Sequence, residues 1–229
     1  MSTRTPLVDE RIEHVPVLPL PEYVLFPHTL IPFHIFEPRY RQMTEDALAG
    51  GRHIIVAGLK PGWERDYYQS PPTYRIAGLG KIVNEQRLKD GRFDLYVHGL
   101  ARITVELWER EVPYRTATIR VLHDHIDERM TDRIDATRRR LLNLTDGLVR
   151  VLGSAAGPFS RVQSSTTDLG VLTNRLASMV PASPVEKQRL LETLCPVARA
   201  ELLMGPMSEL MLAVSQLTND PINGSENIH

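Results

Sequence analysis

The segment Leu18 to Arg41, LPLPEYVLFPHTLIPFHIFEPRYR, constrains the fold more than any other part of the chain. Pro19, Pro21, Pro27 and Pro32 punctuate short apolar pairs, so no helix can run through this stretch. The run Leu30 to Phe36 has strand composition. Glu37-Pro38 then reads as a helix start, because proline at the first helical position lacks only an N–H that would be orphaned anyway. The chain is therefore predicted to go from turn to strand to helix within about 25 residues.

From Val15 to about Leu122 the pattern stays strand-like. Ile54-Ile55-Val56-Ala57 is a short buried-strand run, Tyr74 to Val83 alternates around Gly78 and Gly80, and Phe93–Val97 and Ile103–Trp108 alternate again. Asp90-Gly91 is a reverse-turn signal, and His98-Gly99 reads as a second turn. Short strands joined by turns, with one helix near Pro38–Leu48, imply a small curled sheet or barrel.

The period changes after Asp124. Ile126 to Leu152 carries a broad helical apolar face, and Asp168 to Val180 repeats it through Leu169, Leu172, Leu176 and Met179. Ser183-Pro184-Val185-Glu186 has the spacing of a capping box, opening a helix through Leu190, Leu191 and Leu194. Pro196 marks a break before a last amphipathic helix, Val197 to Leu217. Gly153–Ser165, rich in Gly, Ser and Ala, is predicted to be a flexible loop. The fold class is therefore α+β, with a β-rich subdomain over 14–123 and a helical subdomain over 124–217. The termini, 1–13 and 218–229, are expected to be flexible.

Net charge is −1, so no global field draws the chain to nucleic acid or an anionic membrane. The single cysteine, Cys195, excludes an intramolecular disulfide. No signal-peptide core or membrane-length apolar run is present, and a soluble, cytoplasmic bacterial protein is expected.

Taken in order, LPL, LFP, IPFHIF and EPRYR, then YRIAGLGKI and DGRFDLYVHGLARI, then NRLASMVPASPVEKQRLLETLCPVARAELL, resemble the N-terminal substrate-binding domain of Lon proteases. EPRYR is most similar to bacterial relatives that carry this domain alone. The resemblance covers about residues 14–217 and implies a PUA-like barrel followed by a helical bundle. It also implies a domain that engages unfolded or tagged polypeptide and helps organise the hexamer in Lon. At Ala77-Gly78 the chain departs from the family pattern, which has glycine first and then a small polar residue.

Enzymatic chemistry finds no support in the residues. No phosphate-cradling loop ending in Gly-Lys-Ser/Thr occurs. None of the four lysines, Lys60, Lys81, Lys89 and Lys187, lies in a segment resembling the Lon peptidase motif, where a Ser–Lys dyad would need one. His123-x-His125 has no third ligand at a fixed spacing, so neither metal nor cofactor is expected. Cys195 has no sequence-local activating base, and Arg138-Arg139-Arg140 spreads over a helix among aspartates.

The expected activity is non-catalytic binding of protein or peptide, as an adaptor or regulator in proteolysis. Its partner is unfolded or partly folded polypeptide, with a homo-oligomer or a protease partner as further options. RNA binding through the barrel is the alternative, resting on fold analogy alone, and the near-neutral charge opposes it. The residues singled out for peptide binding are Trp63, Tyr67 and Tyr68 in an irregular aromatic loop, and Phe36, Arg39 and Tyr40 at the helix start. The loop aromatics either bind a partner or pack down on the barrel. At the helix start, Arg39 and Tyr40 either face a recognition groove or serve structure, with Glu37 capping and Arg39 pairing with a barrel carboxylate.

Overall fold

The computed structural model describes residues 11–67, 71–126 and 128–219. Six strands come first: β1 Arg11–Leu20, β2 Leu30–Ile35, β3 His53–Gly58, β4 Ile76–Arg87, β5 Phe93–Arg110 and β6 Thr116–Leu122. One helix, α1 Pro38–Ala49, interrupts them. Five more follow: α2 Thr131–Leu152, α3 Gly157–Ser165, α4 Leu169–Met179, α5 Pro184–Glu192 and α6 Pro196–Asn219. The fold is thus α+β, sheet first and helices after. β1 begins at Arg11, and Arg11 and Ile12 pair with Arg120 and Ile119, so residues 11–13 belong to the sheet and not to a flexible terminus. Helix α6 likewise runs to Asn219; residues 1–10 and 220–229 lie outside the described residues.

The strand order is β2-β5-β4-β3-β1-β6, and β6 also pairs with β5, which closes the sheet into a barrel. Closure removes the edges of the ring β5-β4-β3-β1-β6 and leaves β2 outside it, paired with β5. Among the described residues only β1 and β3 pair in parallel. The length of β5 makes closure possible: its first part, Phe93–His98, pairs with β2, and its second, Arg102–Arg110, pairs with β6.

His98-Gly99 is therefore not a turn. The strand runs through it, and the register with β4 slips by one residue at Leu100. Glycine serves here for close approach. A Cβ at Gly99 would lie 2.0 Å from the Phe26 carbonyl, and one at Gly78 would lie 2.1 Å from the Leu25 carbonyl. The Leu25-Phe26 backbone thus lies directly on the barrel wall. Asp90-Gly91 does turn, with Gly91 at φ 84°, where glycine carries no steric penalty.

The same segment separates two cores. Leu25 packs into one of the barrel's clusters, with Met43, Ile54 and Val97. Its neighbours Val24 and Phe26 join Leu141, Leu148, Leu172, Leu176 and Leu203 in the helical core. Alternation by two residues sends successive side chains to opposite faces, so one short segment seals both halves together.

Gly153–Ser165 is helical. Gly153 ends α2 at φ 54°, a 3-10 turn follows, and α3 starts with a proline in its first turn. Ala156, Phe159 and Val162 are buried against the bundle at a spacing of three. The small-residue composition masks that stripe, because only three positions need to be apolar. The capping box of α5 is present: the Glu186 N–H donates to Ser183 Oγ at 3.2 Å and the Ser183 N–H donates to Glu186 Oε2 at 2.8 Å. Leu194 lies beyond the end of α5.

Candidate peptide-binding surface

The loop between β3 and β4 meets the start of α1 through one half-buried polar cluster. Tyr67 donates its hydroxyl to Glu37 Oε1 at 2.7 Å. Arg39 donates from Nε to Glu37 Oε2 at 3.1 Å and from Nη2 to the Tyr67 carbonyl at 3.2 Å. The Arg39 guanidinium also covers the Tyr40 ring, 4.6 Å from its centroid, and faces the Tyr67 ring at 5.5 Å. Burial, together with the Glu37 carboxylate, pushes the Tyr67 hydroxyl up to about 12. Burial likewise raises the Tyr40 hydroxyl, with the guanidinium opposing.

This geometry corrects two expectations. Glu37 occupies the N-cap position of α1, but its side chain makes no capping hydrogen bond. The partner of Arg39 is Glu37 itself and not a barrel carboxylate. A carboxylate two residues from a guanidinium, beside a phenol donor, is held by two strong hydrogen bonds and is drawn away from the helix end.

The six residues singled out from the sequence fall in different places. Tyr40 is only 6% exposed and belongs to the barrel core. Phe36 is 60% exposed, with its ring stacked near His34 at 6.3 Å. Arg39 and Tyr67 hold the loop to α1. Trp63 is half-buried and meets the Tyr67 ring edge-on at 5.5 Å. Tyr68 lies outside the described residues.

Two apolar features near them were not read from the sequence. Trp63, Tyr74, Pro21, Tyr23, Val185 and Gln188 line a cleft of about 160 Å³ between the barrel and α5. The second is the outer face of β2 and β5. Leu30, Pro32 and Tyr96 are exposed there, with Pro32 opposite Tyr96 in the register. Among the described residues β2 pairs with β5 alone, so its other edge is open. The period-two pattern Leu30, Pro32, His34, Phe36 is a signal that could have marked this face; Tyr96 joins it only through strand register.

A larger, shallower groove of about 750 Å³ lies between the barrel and α4. Leu100, Val121, Ile126 and Val171 line it, and its charged members serve the fold. Arg102 donates to the Leu191 carbonyl at 2.8 Å, to Asp124 at 3.1 Å and to Asn174. Asp124 also accepts from the fully buried Arg199 at 2.9 and 2.6 Å. Asp168 caps α4 by accepting from the Val171 N–H at 2.8 Å. Burial, then the Arg199 charge, depress Arg102 to about 10, against the opposing pull of Asp124. Among the described residues no group of three His, Cys, Asp or Glu side chains could hold a metal, and no helix is long and apolar enough to cross a membrane.

A closed barrel joined through a buried charge cluster to a helical bundle, with aromatics at the rim, defines a two-part α+β domain. The chain belongs to the ATP-dependent protease La (LON) substrate-binding domain family, whose model matches residues 14–209. A Lon protease of Dictyoglomus thermophilum is 30% identical over 186 residues, covering 80% of this chain and 22% of the relative. A Lon protease of Desulfosudis oleivorans is 25% identical over 186 residues, covering 81% of this chain and 22% of the relative. The chain therefore spans about a fifth of the length of the curated relatives it matches. In fold it is similar to the N-terminal domain of a Mycobacterium avium complex Lon protease, at TM-score 0.66 and 20% identity, covering 86% of this chain and 99% of that one. It is also similar to a Lon N-terminal domain protein from Xanthomonas campestris, at TM-score 0.56 and 19% identity, with 85% of this chain and 98% of that one covered.

Proposed function

We propose that this chain is a non-catalytic polypeptide-binding module that takes extended, unfolded segments and serves proteolysis as an adaptor or regulator. Family membership supports the substrate class, since the matching model is described as a substrate-binding domain. The observation that carries the reading is the open edge of β2, flanked by exposed Leu30, Phe36 and Tyr96. An open edge offers main-chain hydrogen bonds to any extended chain, whatever its sequence. Exposed apolar side chains beside it add affinity without demanding one sequence. Trp63 and Tyr67 extend this surface through the loop that Arg39 and Glu37 hold in place. Tyr40 contributes from beneath, as a core residue that fixes the start of α1.

Fluorescence anisotropy with a permanently unfolded, labelled polypeptide tests the reading. The expected dissociation constant is near ~10⁻⁶ M, about −8 kcal/mol. The natively folded form of the same polypeptide should bind at least tenfold more weakly. Phe36→Asp should weaken binding of the unfolded form while the protein stays folded. Equal binding of native and unfolded polypeptide, or tight RNA binding that collapses with added salt and no polypeptide binding, would refute it.

A further inference from the structure

The free side of β2 is not a plain strand edge. The Gly99 N–H donates to the Thr29 carbonyl at 2.8 Å, so residue 29 turns its main chain toward β5. The register then runs unbroken from Leu30 opposite His98 to Ile35 opposite Phe93. Main-chain groups alternate sides along a strand, so residues 31, 33 and 35 bond β5. Leu30, Pro32 and His34 turn theirs to the open side. Among the described residues, no hydrogen bond reaches the main chain of these three from that side. All three residues are exposed, and unpaired main-chain groups persist in native folds where water reaches them.

Pro32 divides this edge. Leu30 and His34 each offer a main-chain donor and an acceptor, whereas Pro32 offers its carbonyl alone. Where an incoming strand would find an N–H, it meets the pyrrolidine ring. Proline at a strand edge opposes edge-to-edge pairing, and how strongly it does so depends on what arrives. One antiparallel register lets a second β2 use all three outward residues: it sets Leu30 opposite His34 and Pro32 opposite Pro32. Each ring then meets the other's carbonyl, and the centre forms no bond. Neither strand is free to bulge away, because β5 fixes each copy from Leu30 to Ile35. An unfolded chain meets one ring, and it can shift one of its own residues out of the ladder as a bulge.

We propose that Pro32 makes the open edge of β2 selective for unfolded polypeptide. An extended segment pairs antiparallel with Leu30 and His34 and bulges past the ring, whereas the folded edge of a second copy is refused. The proposal rests on the polypeptide-binding reading above and adds to it the residue that sets what binds. Antiparallel pairing is the more stable per residue. In that orientation the bound residues opposite Leu30 and His34 place their side chains on the outer face, beside exposed Leu30, Phe36 and Tyr96.

The test combines sedimentation velocity and fluorescence anisotropy on the full chain, comparing the parent with Pro32→Val. Valine suits a strand and the position is exposed, so the variant should keep the thermal midpoint of the parent. It restores the N–H and removes the ring. The variant is expected to dimerise at least tenfold more tightly than the parent. At concentrations where it stays a monomer, it should bind a labelled, permanently unfolded polypeptide about fivefold more tightly, the size of one net hydrogen bond. An excess of that polypeptide should dissolve the Pro32→Val dimer, since both compete for one edge. Leu30→Pro supplies a second, independent measurement. It takes away an outward donor and no bond to β5, so it should weaken polypeptide binding about fivefold more than Leu30→Ala, which removes the same side chain but keeps the N–H.

A Pro32→Val variant with the mass and the polypeptide affinity of the parent would overturn the proposal. So would a variant dimer that persists in excess polypeptide, or a Leu30→Pro variant that binds no worse than Leu30→Ala. The two readings fail separately. Unfolded polypeptide bound equally by the parent, Pro32→Val and Leu30→Pro would keep the polypeptide function and remove the selection at Pro32. A Pro32→Val dimer of a protein that ignores unfolded polypeptide would overturn the polypeptide function, and the selection with it, and leave Pro32 a guard against self-pairing alone.

Discussion

Two carboxylates, Asp124 and Glu37, sit among arginines and hydrogen-bond partners in two places, and the places differ in what water they see. At the junction of barrel and bundle, Asp124 bridges Arg102 and Arg199, which are 3% and 0% exposed. At the rim, Glu37 holds Arg39 and Tyr67 with all three side chains partly in solvent. The junction gathers β5, the β6–α2 join, α4, α5 and α6 through two guanidiniums and one carboxylate. Gly170 on α4 permits it, since a Cβ there would lie 2.5 Å from Asp124 Oδ2. Desolvated charge makes the junction sensitive to the loss of its counter-ion. Solvated charge makes the rim a positioning device, worth little to stability and much to the placing of aromatics.

Asp124→Asn sharpens that contrast most. It leaves two buried guanidiniums without a counter-charge and should cost about 3–5 kcal/mol in urea unfolding. A cost under about 1 kcal/mol would mean that apolar packing alone holds the halves together, and the contrast would vanish. Gly99→Ala comes next. The new methyl meets the Phe26 carbonyl, the segment dividing the two cores must move, and about 1–3 kcal/mol should be lost.

At the rim, Tyr67→Phe should cost only about 1 kcal/mol, the price of one hydrogen bond. It should also change the alkaline limb of the stability curve. The Tyr67 hydroxyl is raised from 10.0 to about 12 in the folded protein, so its contribution is complete below about pH 10 and is lost as pH rises toward about 12. Stability measured across that window should fall less steeply in Tyr67→Phe than in the parent. Part of the slope will remain, because Tyr40 and Tyr114 are also raised by burial. Identical slopes would show that the Glu37 contact does not hold in solution. The smallest stability effect belongs to Trp63→Ala, within about 0.5 kcal/mol. Its polypeptide affinity should nonetheless fall about threefold to tenfold by anisotropy. Unfolding of this variant would move Trp63 from the rim to the core.

Removing Trp63, Tyr67 and Tyr68 together would test the surface less well than these single changes. Tyr67 is tied to Glu37 and Arg39, so its loss disturbs the loop as well as any surface. Sequence reasoning grouped these aromatics because all lie in one irregular segment. The fold gives them different tasks: Trp63 faces the cleft, while Tyr67 anchors the loop.

The part of this fold legible in the chain alone is the part set by short-range chemistry. Proline at 38 starts α1, Asp90-Gly91 turns the chain, Ser183 and Glu186 cap α5, and leucines at helical spacing build the bundle. Each of these needs only neighbours within a few residues, and their order along the chain carried the family resemblance. The tertiary structure decided the rest. Gly99 sits in a strand because the Phe26 backbone crosses it, not because the chain turns there. Residues 153–165 are helical because three buried side chains find a bundle to cover them. Glu37 leaves its helix end because Tyr67, thirty residues away, donates to it. Pro32 faces the open edge because strand β5, far along the chain, takes the other side of β2. Local pattern fixes backbone dihedrals and periodicity; it holds no information on which distant backbone or side chain will arrive, and these four features each depend on such an arrival.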